Sequence, residues 1–336
     1  NFVKKIQPLN KLFNDKPVQK SMINEVVGDL YRFSSNYPYG LSYNQINMLG
    51  GLELHNEGYL GSGIVIAVFD AGFNGVDYLP IFSHLWENER IIDSYDFVDN
   101  DDNVFHGSTH GMMVLSTMAG FMADSLVGTA PEANYMLFRT EDTSSETLVE
   151  EDYWAAAAEY ADSVGVDIIN SSLGYTILYD DTLNSHSYSD MDGSTTIITK
   201  AADYAASKGI LVVNSAGNSG NNDWHYIGAP ADGDSVLAVG AVNNYGTVAS
   251  FSSRGPSFDG RVKPNICAQG VYAVVADIDS TIRLANGTSF AAPIVAGLSA
   301  CLWQSRPELN NINLLNLIQE SAHLFSNPND SMGYGI

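Results

Sequence analysis

The sequence predicts an α/β fold built on a parallel sheet, and three observations predict it. Apolar, β-branched runs alternate along the chain with helix-patterned segments. The helical segments carry start and stop signals in the expected places, acids in a first turn and glycine just past an end. Several of the apolar runs close on a polar residue or a glycine, at Asp70, Leu173–Gly174 and Asn218. Parallel sheets place their ligand sites beyond such strand ends.

Each element follows from its own residues. "GIVIAVFD" (63–70) is a buried strand that ends in Asp70. "THGMMVLSTMAGFM" (109–122) reads as a helix. "NYMLFRTED" (134–142) is a strand, and "SSETLVEEDYWAAAAEYADSVG" (144–165) an amphipathic helix with an acidic first turn. "VDIINSSLG" (166–174) is a strand. "TTIITKAADYAASKG" (195–209) is a helix closed by Gly209. "ILVVNSAGN" (210–218) and "SVLAVGAV" (235–242) are strands, and "SFAAPIVAGLSACLWQ" (289–304) is a helix.

Composition excludes some functions. The 336 residues carry 39 acids against 15 bases, a net charge of −24, whereas nucleic-acid binding needs a basic surface. No apolar run is long enough to span a membrane. Cys267 and Cys301 sit in apolar settings and read as buried free thiols rather than a disulfide. No signal peptide pattern opens the chain and Asn1 is not a natural start, so it reads as a processed or trimmed piece. Residues 1 to about 38 read differently: "NFVKKIQPLNKLFNDKPVQK" (1–20) alone holds five of the 15 basic residues with weak periodicity, and the globular pattern begins at 39.

Three residues at element boundaries form a chemical group. Asp70 ends a strand, His110 begins a helix, and Ser289 stands where the turn "NGT" becomes a helix. Singly these are a turn-capping acid, an idle helix-start histidine and an N-cap serine. Together they are the parts of a catalytic triad, in which Ser is the nucleophile, His takes its proton and Asp holds the imidazole. "VIAVFDAGF", "THGMMVLSTMAG" and "NGTSFAAP" resemble the three signature segments of the subtilisin-like serine proteases, in their Asp-His-Ser order. The resemblance runs from about Gly61 to the end, closest to the secreted bacterial members.

The resemblance implies a three-layer subtilisin-like fold, with a mostly parallel central sheet flanked by helices. It also implies endopeptidase chemistry through an acyl-enzyme, with no cofactor required for the chemistry. His106 competes with His110 for the base. Only His110 carries the family's downstream pattern, with Val114, Thr117 and Ala119 on its Val, Thr and Ala, although Met112 and Met113 replace the usual Thr and second His. "NSAGNSG" resembles the segment whose Asn supplies an oxyanion donor, here Asn218. Ser172, Leu173 and Gly174 match one wall of the first specificity pocket, and Ser215, Ala216 and Gly217 the other. Gly228 matches the floor, which without an acid implies a roomy, apolar P1 preference.

The family's strong calcium site is expected to be lost, with Leu79 in place of its Asp and a short "GFMADS" loop. "DNDDN" (99–103), with Asp99 and Asp101, and "DMDG" (190–193), with Asp190 and Asp192, offer carboxylates for a structural calcium or for water alone. The acids of "RTEDTSSETLVEED" either face distal subsites, where they would favour basic substrate residues, or lie in solvent. The resemblance further implies a secreted protein acting on protein or peptide substrates, as a monomer with its own propeptide. Residues 1–38 would be a propeptide remnant or N-terminal arm, and 39–336 the catalytic domain.

Overall fold

The computed structural model describes residues 37–145, 147–177 and 182–336. The expected arm, residues 1–38, lies outside the described residues except for Tyr37 and Pro38. Two short helices come first, α1 (Tyr43–Asn47) and α2 (Gly51–Asn56), followed by β1 (Val65–Asp70), α3 (Ser83–Glu87) and β2 (Ile91–Asp96). Helix α4 (His110–Ala119) leads through a small hairpin, β3 (Phe121–Met122) and β4 (Leu126–Val127), to β5 (Asn134–Arg139). Then come α5 (Val149–Val164), β6 (Ile168–Ser171), α6 (Ile197–Ser207), β7 (Leu211–Ser215), β8 (Val236–Val242) and β9 (Ile266–Gln269). A second hairpin, β10 (Ala273–Ala276) and β11 (Ile282–Ala285), precedes α7 (Thr288–Ser305) and α8 (Asn311–Ser321).

Seven strands of the described residues form one parallel sheet in the order β2-β5-β1-β6-β7-β8-β9. The alternation of a strand builds the three layers. Ile66 and Val68 point into a core shared with α4 and α7, and Ala67 and Phe69 into the opposite core shared with α5 and α6. Helix α7 is buried on every side from Thr288 to Cys301, as an apolar helix must be in the middle of a core. From β1 the chain first builds toward β2 and β5, then crosses to β6 and builds the other way. This reversal opens a crevice at the carboxyl ends of β1 and β6, where Asp70 and Ser172 stand.

The expected strands and helices of the central domain are all present, most with trimmed ends and the last helix, expected at 289–304, extended to Thr288–Ser305. Helix α5 starts at Val149 rather than 144 and keeps its acidic first turn of Glu150, Glu151 and Asp152. Gly209 follows the α6 C-cap at φ +106°, the conformation glycine favours. Cys267 and Cys301 are buried and free. Burial pushes the Cys267 thiol up to about 12 and raises that of Cys301, which disfavours the reactive thiolate in both. The segment from Tyr37 is tied to the hairpin, with Asp124 donating its N–H to the Pro38 carbonyl and Leu41 to that of Ser125. No described helix is long and apolar enough to cross a membrane.

Candidate active site

Asp70 is completely buried at the end of β1. A carboxylate there needs donors, and it has them. Oδ1 accepts the Ala71 N–H at 2.8 Å, and both oxygens lie 2.9 Å from His110 Nδ1. His110 is the first residue of α4, and the Ser108 hydroxyl accepts its backbone N–H at 3.0 Å. With Asp70 accepting at Nδ1, the neutral ring carries its proton there and leaves the Nε2 lone pair free. That Nε2 is buried and without a hydrogen-bond partner.

Ser289 is also fully buried, at the second position of α7 rather than at its N-cap, which is Gly287. Gly287 stands at φ +156° and turns the chain from β11 into the helix. The His110 ring packs 5.8 Å from the ring of Phe290, the residue after Ser289, so α4 and α7 meet at these two side chains. Ser289 Oγ lies 3.5 Å from the Ser172 carbonyl and is not hydrogen-bonded to His110 Nε2. Such bonds are often long in a ligand-free site.

Asn218 follows β7 after Gly217, whose φ of +102° and whose missing Cβ, 2.9 Å from Ser253 Oγ, both require glycine. The Asn218 Oδ1 accepts from the Thr288 N–H at 2.9 Å and the Thr288 hydroxyl at 3.1 Å. Two donors on the oxygen fix the amide's orientation. The Nδ2 is left buried and without a partner beside the start of α7. Thr288 also accepts the Gly217 N–H at 3.2 Å. The sequence places Thr288 in the turn "NGT"; in the structure it is the first residue of α7 and holds the Asn218 amide.

The expected pocket segments lie together. Asn214 Nδ2 donates to the carbonyls of Leu173 (3.0 Å) and Ser215 (2.8 Å), and Ser215 Oγ to the Leu173 carbonyl (3.4 Å). This ties the 172–174 wall to the 215–217 wall. Tyr175 and Ala229 exchange backbone hydrogen bonds at 2.8 and 3.1 Å and bring Gly228 against Tyr175 and Thr176. A Cβ on Gly228 would meet Thr176 Cγ2 at 2.9 Å and the Tyr175 carbonyl oxygen at 3.1 Å.

Around the site lie more acids than the sequence made evident. Glu141 is buried and accepts a hydrogen bond from Tyr175. Burial, aided by nearby Glu150 and Asp70, raises its carboxyl well above the usual range, which favours the neutral form. Glu150 is pushed up to about 7 by burial, although it accepts the N–H groups of Asp142 and Thr147. Glu141 and Glu150 are thus built into the fold, while Asp142 and Asp152 of the same stretch differ, Asp152 being exposed and Asp142 half-buried.

His106 pairs with Asp96. Its Nε2 is 3.3 Å from Asp96 Oδ2. Asp96, Asp99 and His106 have ligand atoms within 4.8 Å of one another, but one Arg139 nitrogen lies 2.7 Å from both carboxylates. Asp101 accepts the Asn103 N–H at 2.9 Å. Asp190 caps Ser187, and Asp192 binds the N–H and hydroxyl groups of Ser194 and Thr195. Among the described residues the one group of three or more possible metal ligands is Asp96, Asp99 and His106; it takes in Asp99 of the first carboxylate cluster but not Asp101, and neither Asp190 nor Asp192 of the second. Leu79 is buried among apolar neighbours.

Comparisons with known proteins identify the family. The subtilase family (peptidase S8) matches residues 61–335. Subtilisin E of Bacillus subtilis is 31% identical over 88% of this chain and 69% of its own length. Subtilisin of Bacillus pumilus is 31% identical over 86% of this chain and 92% of its own. Among solved structures, MycP1 with its N-terminal propeptide removed superposes with a TM-score of 0.67 at 24% identity, covering 87% of this chain and 94% of its own, which speaks to the fold. The chain belongs to the subtilase family and is a subtilisin-like serine endopeptidase.

Proposed function

We propose that this chain cleaves proteins and peptides through an acyl-enzyme, with Ser289 as nucleophile, His110 as general base and acid, and Asp70 as the group that orients and stabilises the imidazole. The observation that carries the reading is the pair of unpartnered buried nitrogens, His110 Nε2 and Asn218 Nδ2, on side chains that contact Phe290 and Thr288, the residues on either side of Ser289. Buried polar atoms without partners are costly, and a site that awaits a substrate is a reason to keep them. In the reaction Ser289 Oγ attacks the scissile carbonyl carbon while its proton passes to His110 Nε2. The carbonyl oxygen becomes an oxyanion that accepts from Asn218 Nδ2 and the Ser289 N–H. Collapse breaks the C–N bond, and His110 returns the proton to the leaving amine. Water then attacks the ester carbonyl carbon while its proton passes to His110 Nε2, the C–Oγ bond breaks, and His110 returns the proton to Ser289 Oγ as the carboxylic acid product leaves.

Substrate is proposed to lie as an added strand along 172–174, with its P1 side chain between the two walls above Gly228. Peptide anilides test this reading. Apolar P1 residues are expected to give the higher kcat/KM, and a preference for Lys or Glu at P1 would refute the pocket.

The chemistry is proposed to need no cofactor. The Asp96–Asp99–His106 group does not fit a calcium ion, because the Arg139 guanidinium already lies between the two carboxylates. Asp190 and Asp192 spend oxygens on local N–H and hydroxyl groups. A chelator is therefore expected to leave activity and Tm unchanged. A fall in Tm that added calcium reverses would contradict this.

We also read the protein as secreted and monomeric, with residues 1–38 a propeptide remnant or arm held by charge on the acidic domain. If deleting these residues changes neither stability nor activity, they are a linker instead.

A further inference from the structure

We propose that Ser172 is a positioning residue for the nucleophile: its hydroxyl replaces the backbone donor that Pro293 removes, and so fixes where Ser289 stands. The inference rests on the assignment of Ser289 above. In an α-helix the carbonyl of residue 289 is closed by the N–H of residue 293. Here residue 293 is Pro293, inside α7, with no N–H to give and a ring that crowds that same carbonyl. The Ser289 carbonyl therefore lacks its regular i+4 donor, in a fully buried place where an unpaired acceptor is costly.

Ser172 Oγ donates to that carbonyl at 2.8 Å, across 117 residues of sequence. Ser172 is itself fully buried and follows β6 directly, so the bond fastens the first turn of α7 to the central sheet. The Asn170 side-chain amide approaches the same hydroxyl at 3.5 Å, which leaves its proton for Ser289. The carbonyl of Ser172 is in turn the group 3.5 Å from Ser289 Oγ. One residue thus touches the nucleophile on both its backbone and its side chain. Misplacing a reacting atom by about 1 Å can cost about 10²-fold in rate, so a fixed helix start matters to the chemistry and not only to stability.

A double-mutant cycle tests the proposal, read by fluorophosphonate acylation rate and by peptide anilide kinetics. Ser172→Ala is expected to lower acylation and kcat about tenfold, within the cost of leaving a buried acceptor unpaired, with KM within about twofold. Pro293→Ala supplies a backbone N–H for the Ser289 carbonyl, so in that background Ser172→Ala should cost less than about twofold. An equal loss in both backgrounds would overturn the proposal, as would an unchanged rate in Ser172→Ala. If Pro293→Ala is itself inactive, the single variant decides. A fall in kcat at constant KM supports positioning, and a rise in KM at constant kcat makes Ser172 a pocket wall only and overturns it. Acylation of the wild type at Ser289 in the same assay separates the two readings, since its absence would sink the triad assignment and not merely the role of Ser172.

Discussion

Ser289→Ala is expected to fold like the wild type and to lose about 10⁶ in kcat, a magnitude known for the dismantled triad of subtilisin, a relative of this chain, rather than drawn from the present geometry. The fold should tolerate the change because Ser289 Oγ makes one long contact, 3.5 Å to the Ser172 carbonyl. Its loss removes the atom that becomes acylated. Adding His110→Ala to Ser289→Ala should cost little more, because the members of the triad act as a unit. Circular dichroism and Tm would check the fold, and peptide anilide turnover the rate. Residual activity within tenfold of wild type would place the nucleophile elsewhere.

Asn218→Ala should lower kcat by about 10²–10³ with little change in KM, the value associated with the oxyanion donor of subtilisin itself. The physical reason is present in this chain. Two hydrogen bonds from Thr288 hold Asn218 Oδ1, and they leave Nδ2 free for a charge that exists only in the transition state. A donor that acts only there moves kcat rather than binding. Steady-state kinetics would check the split, and an unchanged kcat would remove Asn218 from the site.

Much of the fold could be read from the sequence because the central strands are nearly pure apolar runs. β1, β7 and β8 are buried along almost their whole length and carry no competing signal. The outermost strands were missed. β2, "IIDSYD", mixes polar and apolar residues because, at the edge of the sheet, it is only partly covered. β9, "ICAQ", is four residues long and too short for a periodicity to show. Asp70, His110, Asn218 and Ser289 were legible because each stands at an element boundary with an unusual local sequence. Their support was not. Ser172 reaches the Ser289 carbonyl from 117 residues away, and Arg139 settles between Asp96 and Asp99 only once β2 and β5 have paired. Such contacts are set by strand order, which no local pattern encodes.

The central claim is that His110, not His106, activates Ser289. His110 Nδ1 is 2.9 Å from Asp70, whereas His106 pairs with Asp96 and is more than a third exposed. The most direct measurement is intact-mass and peptide-mapped labelling by a fluorophosphonate in the wild type, His106→Ala and His110→Ala. One adduct on Ser289 is expected in the wild type and in His106→Ala at similar rates, and almost none in His110→Ala. Labelling of His110→Ala at the wild-type rate, or an adduct on any other residue, would contradict it.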